Sequence, residues 1–282
     1  MTLEDLEWRL IEETARSGPM QMALEEIAAQ TVADGGPALV RTFRWAPSTL
    51  SLGYGQDAST VDWAFCELAG IDITRRQTGG GGIYHDHHAD ISYSIVVPKT
   101  AVSGDLLEAY HTLCEPILMF FEEIGLEASY ADHPHDAIFE PACFLRDIHP
   151  AHDILIDGQK ISGNAQYRQR DAVIQHGSIL FDEATETHLS TFSGHSITAE
   201  GFEDRTTTIL EAVDIDRSTA VAQLTECLGQ WAGGADGEWT REELQSARDL
   251  AQGKYRSREW VREASIARPG RTGDNSSNPS VD

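Results

Sequence analysis

The stretch RRQTGGGGIYHD, residues 75–86, joins two β-prone segments, residues 71–75 and 91–97, through four consecutive glycines. Glycine lets the backbone adopt positive φ and approach a ligand closely, and successive amide N–H groups can then surround a phosphate or a carboxylate. The two arginines add charge that suits such an anion. The stretch lacks the Gly-Lys-Ser/Thr ending of a Walker A loop. It therefore predicts either another kind of anion-binding loop or a flexible hairpin connection.

A second stretch, HDILIDGQKISGNAQ at residues 152–166, takes a β-prone segment through an Asp-Gly turn to Lys160. Only three of the 21 basic residues are lysines, so a lysine beside small residues stands out. A compact ammonium suits stabilisation of charge that develops on a carbonyl or phosphoryl oxygen. An ordinary solvent-exposed turn lysine is the alternative.

Cysteine usage indicates a reduced compartment, because the four cysteines are scattered without CxxC spacing. Cys66, Cys114 and Cys227 lie in helical apolar patterns and are expected to be small buried hydrophobic residues. Cys143 lies instead in a loop before the lysine strand, where its thiolate could serve as a nucleophile. The sequence leaves the choice between nucleophile and inert thiol open for Cys143.

The cluster HDHHAD, residues 85–90, raises the question of a zinc site. It differs from the metallo-hydrolase pattern HxHxDH, since Ala89 and Asp90 stand where Asp and His are needed. We therefore expect His87 and His88 to be surface residues of a polar turn.

The charge balance excludes several classes of protein. The 282 residues carry 46 acidic and 21 basic side chains, a formal net charge of −25, which argues against nucleic-acid binding. No apolar run approaches the ~20 residues of a membrane helix, and the acidic N-terminus lacks the features of a signal peptide. We predict a cytoplasmic protein. The acidic, lysine-poor composition further predicts a halophilic one, because molar salt screens repulsion among carboxylates.

The order of the segments predicts the fold class. Amphipathic helices are expected at residues 20–31, 61–68 and 104–124, and strands at 39–43, 71–75, 91–97, 152–156, 173–175 and 178–181. Strands and helices that do not strictly alternate indicate an α+β fold, a mixed β-sheet flanked by helices. We expect one catalytic domain at residues 8–262 and a disordered polar tail at residues 263–282.

Two motifs carry a family resemblance. RRQTGGGGIYHD resembles the RRxTGGGxVxHD loop of the lipoate–protein ligases and octanoyltransferases, in the biotin/lipoate protein ligase superfamily. DGQKISGNAQYRQRDAVIQHGSIL, residues 157–180, resembles the GRKxSGxAQxRxxxxxxxHGS segment of that family. Weaker similarities, in MQMALEE and WAPSTLSLGYGQ, extend the resemblance to roughly residues 8–262.

The resemblance implies a set of site residues. The glycine loop covers the acyl group and the adenylate phosphate in the family, and a lysine at the position of Lys160 touches the acyl carbonyl. Lys160 and Cys143 are the implied catalytic residues, and the metal ligands stay unknown. The implied substrate- and ATP-binding residues are Arg75, Arg76, Gly79, Gly80, Gly81, Gly82, Ile83, His85, Asp86, Lys160, Ser162, Gly163, Asn164, Ala165 and His176.

The resemblance also implies a function. The expected activity is that of a lipoate–protein ligase, which uses ATP and Mg²⁺ to make lipoyl-AMP from lipoate. The acyl group would pass to a lysine of an acceptor lipoyl domain, in a 2-oxoacid dehydrogenase E2 subunit or the glycine-cleavage H protein. A separate accessory subunit is a further expected partner, because the chain is too short for an accessory domain.

Two alternatives accompany the ligase. An ATP-independent octanoyltransferase would use Cys143 to take octanoyl from a carrier thioester. A lipoate-binding protein without catalysis would retain the loop for binding alone.

Overall fold

The computed structural model describes residues 1–12, 15–130, 142–145 and 153–263. The strands are β1 Trp8–Glu12, β2 Ala38–Phe43, β3 Thr49–Leu52, β4 Asp72–Arg75, β5 Ile83–His85, β6 Asp90–Pro98, β7 Ala128–Tyr130, β8 Asp153–Ile156, β9 Gln159–Gln169, β10 Ala172–Leu180 and β11 Ala235–Asp236. The helices are α1 Gly18–Ala33, α2 Trp63–Leu68, α3 Leu106–Glu123, α4 Thr185–Ser190, α5 Ala199–Glu203, α6 Ile209–Ala212, α7 Arg217–Ala232 and α8 Arg241–Leu250.

A large mixed sheet organises the fold. Its eight strands run in the order β11-β1-β2-β6-β10-β9-β8-β7. The β11–β1 and β1–β2 pairs are parallel and the others antiparallel. Helices α3 and α7 contribute to a hydrophobic core with this sheet, and α1 and α8 contribute to a second one. The predicted α+β class, a mixed sheet flanked by helices, is confirmed.

A second, smaller sheet forms from β4, β3 and β5 in that order. Strand β4 ends at Arg75 and β5 begins at Ile83, so the glycine stretch connects two strands of this sheet. Cys143–Leu145 forms a single 3-10 turn, and the neighbouring Ala142 bridges to Gly82.

Helix α3 shows how local sequence sets the element ends. Its N-cap Asp105 accepts a hydrogen bond from the backbone N–H of Glu108 at 3.0 Å. The helix is followed by Gly125 with φ of 83°, the left-handed conformation in which glycine ends helices at no steric cost. The helix expected at residues 104–124 is therefore found close to its predicted limits.

Strand β10 differs from expectation, because the two predicted strands at 173–175 and 178–181 are one continuous strand. Gly177 does not interrupt it. A Cβ at Gly177 would lie 2.1 Å from Asn164 Oδ1 and 2.5 Å from the Tyr93 ring, so close packing requires this glycine.

The remaining expectations concern the chain ends and membranes. Of the expected tail at residues 263–282, all but Glu263 lie outside the described residues, and the domain limits 8–262 stay a prediction. Within the described segments, no helix combines the length and the apolar character needed to cross a membrane.

Candidate active site

Lys160 and Cys143 meet at one point of the structure. Lys160 lies at the start of β9 and is 2% exposed. Its Nζ lies 2.7 Å from Asp153 Oδ1, donates to the Cys143 carbonyl oxygen at 3.1 Å, and lies 3.8 Å from Cys143 Sγ. The structure therefore places a buried ammonium within reach of the thiol, as nucleophilic catalysis by cysteine needs.

The charge of Lys160 is secured by its neighbours. Burial lowers the pKa of an ammonium, but the charge of Asp153 and the hydrogen bonds to Asp153 and Cys143 outweigh burial here. The pKa of Lys160 is therefore raised above its usual value. Lys160 thus stays cationic at neutral pH.

The absence of a side chain at Gly163 leaves space for the Cys143 sulfur. A Cβ built at Gly163 would lie 3.1 Å from Cys143 Sγ and 3.5 Å from Lys160 Cε. The backbone N–H of Cys143 donates to the Gly82 carbonyl oxygen at 2.8 Å, which ties the Cys143 backbone to the glycine loop. Cys143 is half-buried, whereas Cys66, Cys114 and Cys227 are buried as expected.

The glycine loop is wrapped around Arg76. The Arg76 guanidinium donates to the carbonyl oxygens of Gly79 at 2.6 Å, Gly81 at 2.7 Å and Ser51 at 2.9 Å. It also donates to Thr78 Oγ1 at 2.9 Å. Its donors therefore hold the loop in shape.

Arg75, one of the predicted binding residues, is directed at the backbone. Its fully buried guanidinium donates to the carbonyl oxygens of Gly53 at 2.6 Å, Gln56 at 2.7 Å and Val261 at 2.8 Å. Arg75 fastens these backbone segments together. It does not line the pocket that Cys143 and the glycine loop border, which is described below. The charge expected to meet a nucleotide phosphate is thus directed at backbone carbonyls.

The loop also depends on a close backbone approach at Gly53. A Cβ there would lie 2.1 Å from the Gly80 carbonyl oxygen, a contact that only a backbone shift can relieve. We expect Gly53→Ala to destabilise the fold by about 1–3 kcal/mol, as overpacking does elsewhere. Thermal unfolding measures this, with Gly79→Ala as matched control, because a Cβ at Gly79 meets nothing within 4 Å. Equal melting temperatures for the two variants would contradict the expectation.

His85 contributes to the pocket through its ring. It stacks on Trp45 with ring centroids 4.1 Å apart, and its Nε2 and Nδ1 lie 2.9 Å from Ser51 Oγ and 3.1 Å from Asp90 Oδ2. Burial lowers the pKa of His85, although Asp90 opposes this. A neutral imidazole in the wall suits an apolar ligand.

Asp86, another of the predicted binding residues, is bonded within its own turn. Its carboxylate accepts from the backbone N–H of His88 at 2.8 Å and of Ala89 at 3.1 Å, and from Tyr84 Oη at 2.8 Å. Asp86 thus caps the turn after β5 and is absent from this pocket. Among the residues described, no three His, Cys, Asp or Glu side chains lie close enough together to hold a metal ion.

His176 is held from both sides. Its Nε2 lies 2.8 Å from Thr78 Oγ1, and its Nδ1 lies 2.9 Å from Glu25 Oε2. Burial raises the pKa of the Glu25 carboxyl, but His176 and Arg41 outweigh burial and lower that pKa below its usual value. This chain of contacts links α1 through β10 to the glycine loop.

Several of these residues line one pocket, whose space together with its solvent-filled mouth is about 430 Å³. Its lining residues are Met22, Phe43, Trp45, Ser51, Arg76, Gly79, Gly80, Ile83, His85, Ser92, Cys143, Gly163, Asn164, Ala165, His176, Gly177 and Ser178. Of the predicted positions, Gly81, Gly82 and Ser162 are not among the lining residues. Lys160 adjoins it through Cys143 and Gly163.

The polar groups of the pocket satisfy one another. Ser178 Oγ and Ser92 Oγ both donate to the Asp90 carboxylate, and Trp45 Nε1 donates to Ser92 Oγ at 2.9 Å. Because these hydroxyls already have hydrogen-bond partners, they do not need polar groups from a ligand, and the pocket suits an alkyl chain.

Sequence patterns missed several of these residues. The sequence patterns predict no role for three residues of the site, namely Asp153, Glu25 and Trp45. A carboxylate inside the apolar pattern of helix 20–31 is the one signal that points to Glu25. Asp153 lies seven residues before Lys160, and only the β8–β9 hairpin brings the two together.

The profile of the lipoyl protein ligase A/B catalytic domain matches residues 17–230. The chain belongs to this family. Octanoyltransferase LipM of Symbiobacterium thermophilum is 30% identical over 272 residues, which cover 90% of this chain and 97% of the relative. Octanoyltransferase LipM of Bacillus subtilis is 27% identical over 279 residues, which cover 90% and 97%.

Solved structures show the same fold. A bi-partite lipoate protein ligase from Thermoplasma acidophilum has a TM-score of 0.76 at 22% identity, covering 94% of this chain and 99% of that one. A lipoate-protein ligase A bound with ATP has the same TM-score and identity, covering 94% and 100%.

The comparisons correct the expected activity. The sequence relatives at 27–30% identity are octanoyltransferases, whereas the solved ligases, at 22% identity, show only the shared fold. The interpretation as a ligase that forms lipoyl-AMP is therefore wrong. The expected ATP, Mg²⁺ and free lipoate belong to that interpretation. The guanidinium N–H groups of Arg75 and Arg76 donate to backbone carbonyl oxygens. In this arrangement they offer few hydrogen bonds to a nucleotide phosphate.

Proposed function

We propose that the protein is an ATP-independent octanoyltransferase that moves octanoyl from a carrier thioester to a lysine of acceptor lipoyl domains. The acceptors would be 2-oxoacid dehydrogenase E2 subunits or the glycine-cleavage H protein. The observation that carries the proposal is Cys143 Sγ, 3.8 Å from Lys160 Nζ, in the lining of a pocket suited to an alkyl chain. The octanoyltransferase relatives support the same activity.

The first step acylates the enzyme. The Cys143 sulfur forms a bond to the octanoyl carbonyl carbon, and the bond from that carbon to the carrier sulfur breaks. The proton lost by the Cys143 thiol ends on the carrier thiol. Lys160 lies where its ammonium can donate to the oxygen that becomes negative as the tetrahedral intermediate forms.

The second step transfers the acyl group to the acceptor. The neutral amine of the acceptor lysine attacks the same carbonyl carbon, a C–N bond forms, and the C–S bond to Cys143 breaks. One amine proton passes to the Cys143 sulfur, so the enzyme returns to its starting state. Both steps place negative charge on the same oxygen, and Lys160 serves each of them.

Asp153 supports this role by position. Its carboxylate lies 2.7 Å from Lys160 Nζ and balances the ammonium in a site where that side chain is almost completely enclosed. A protein that only bound lipoate would have no use for an ammonium and a thiol placed together. The accessory subunit expected for a ligase has no place in this reaction.

The intact mass of an acceptor lipoyl domain tests the proposal. The domain is incubated in molar KCl with this protein and an octanoyl thioester without nucleotide, and separately with lipoate, ATP and Mg²⁺. We expect the octanoyl increment in the first mixture and no increment in the second. An increment that needs ATP, or none from the thioester, would overturn the proposed reaction.

We also infer a cytoplasmic location and adaptation to molar salt. The support for the location is the four scattered cysteines without CxxC spacing, and the support for the salt adaptation is the net charge of −25, carried with only three lysines. In molar salt the screening length falls to roughly 3 Å, so carboxylates at the surface repel one another little. Thermal unfolding measured from 0.1 to 3 M KCl is expected to show a melting temperature that rises with salt.

A further inference from the structure

The pocket crosses the large sheet along a row of paired residues. Gly163 on β9 pairs with Ser178 on β10, Ser178 pairs with Ser92 on β6, and Ser92 pairs with Phe43 on β2. Residues paired across neighbouring strands share one face of a sheet. All four line the pocket, so three small residues form a track that ends at a phenylalanine.

The two ends of the track differ. At Gly163 the track begins beneath the Cys143 sulfur, which lies 3.1 Å from the position of a Cβ there. At the other end the Phe43 ring packs edge-on against Trp45 with centroids 5.4 Å apart, and Trp45 stacks on His85. Phe43 is 5% exposed and Trp45 2%. The far end is thus closed by an aromatic wall that its own contacts hold in place.

The length of the track matches one acyl chain. Three strand spacings of about 4.8 Å place Phe43 roughly 14 Å from Gly163. Carbon–carbon bonds of about 1.5 Å in an extended chain advance about 1.3 Å each, so eight carbons span roughly 9 Å. The thioester sulfur at one end and the radius of the terminal methyl at the other nearly fill the rest of the distance between Gly163 and Phe43. Two more methylenes would drive the chain into Phe43.

We propose that Phe43, supported by Trp45, is the ruler of this enzyme, the wall that limits the acyl chain on Cys143 to about eight carbons. This inference rests on the proposed octanoyl transfer and adds the residues that select the substrate. Ser178 and Ser92 contribute by being small, since a larger side chain on either would shorten the track. Their hydroxyls are paired with Asp90 and do not need the ligand.

Two opposite substitutions test the ruler. Phe43→Leu removes the ring and lengthens the track. Ser92→Thr keeps the hydroxyl that serves Trp45 and Asp90 but adds a methyl to the track. Ser94→Thr is the matched control, because Ser94 lies on the same strand and face, one row away and outside the pocket lining. The rate of acyl-enzyme formation is measured by intact mass with hexanoyl, octanoyl, decanoyl and dodecanoyl thioesters.

We expect the wild type to prefer octanoyl over decanoyl by about tenfold or more, the penalty for overfilling an apolar pocket. Phe43→Leu should raise the decanoyl-to-octanoyl ratio about tenfold, and Ser92→Thr should raise the hexanoyl-to-octanoyl ratio similarly. The Ser94→Thr profile should match the wild type. Unchanged ratios in both pocket variants would overturn the ruler.

A binding measurement separates this failure from failure of the chemistry. Calorimetric titration of the same variants with hexanoic, octanoic and decanoic acids gives the length preference without any transfer. If no thioester acylates the wild type, the proposed reaction is wrong. The titrations then still test whether Phe43 limits the chain length, because they need no acyl transfer. If acylation proceeds but neither measurement shifts with the substitutions, only the ruler fails.

Discussion

Replacing Cys143 with serine is expected to lower octanoyl transfer by at least about a thousandfold, the scale on which enzymes lose rate without their nucleophile. The serine hydroxyl is close in size to the thiol and fits above Gly163, so the pocket should keep its shape. Serine is nevertheless a weak nucleophile unless a base removes its proton. Lys160 cannot serve as that base while Asp153 holds it in the ammonium form.

The measurement follows the enzyme as well as the acceptor. Wild-type protein mixed with an octanoyl thioester should gain one octanoyl group, which neutral hydroxylamine removes because the bond is a thioester. Cys143→Ser should gain none, whereas Cys227→Ala, which removes a buried thiol of helix α7, should behave like the wild type. Undiminished transfer by Cys143→Ser would mean that the acyl group never resides on residue 143.

Replacing Lys160 with methionine should have the second largest effect. Transfer is expected to fall about 10²–10³-fold, as when one oxyanion donor is removed from an enzyme. The fold should also lose up to about 3–5 kcal/mol of stability, because the buried Asp153 carboxylate loses the opposite charge of Lys160. Activity and stability therefore change together in this variant and must be separated.

A double variant separates them. Lys160→Met combined with Asp153→Asn removes both charges, so the melting temperature should return most of the way to that of the wild type. Transfer should stay low, because no ammonium faces the carbonyl oxygen. Recovery of transfer along with stability would show that Lys160 has only a structural role.

Some features of the site could be predicted from local sequence. The glycine stretch, the Asp-Gly turn before Lys160 and the cap at Gly125 each depend on residues within a few positions of one another. Glycine is needed where φ is positive or backbones approach closely, and both requirements leave a mark in the sequence. The two motifs therefore indicated the family, and the apolar periodicity indicated most of the helices and strands.

The roles of the two arginines could not be predicted in the same way. Adjacent arginines before a glycine loop are typical of an anion site. Here Arg75 binds carbonyl oxygens as distant in sequence as that of Val261, and Arg76 binds those of its own loop. Which acceptor a guanidinium finds depends on how the chain folds around it.

The sequence by itself determined the family and the α+β class, and it indicated the segments that we propose carry the chemistry, because these follow from short-range patterns. Only the tertiary structure decided that Cys143 meets Lys160, that Asp153 balances it, and that a track of small residues ends at Phe43. Those relations depend on strand register, which aligns Phe43, Ser92, Ser178 and Gly163 from four separate strands. A shift of one residue in any pairing would turn its side chains to the other face, so the packing of the whole sheet sets the site.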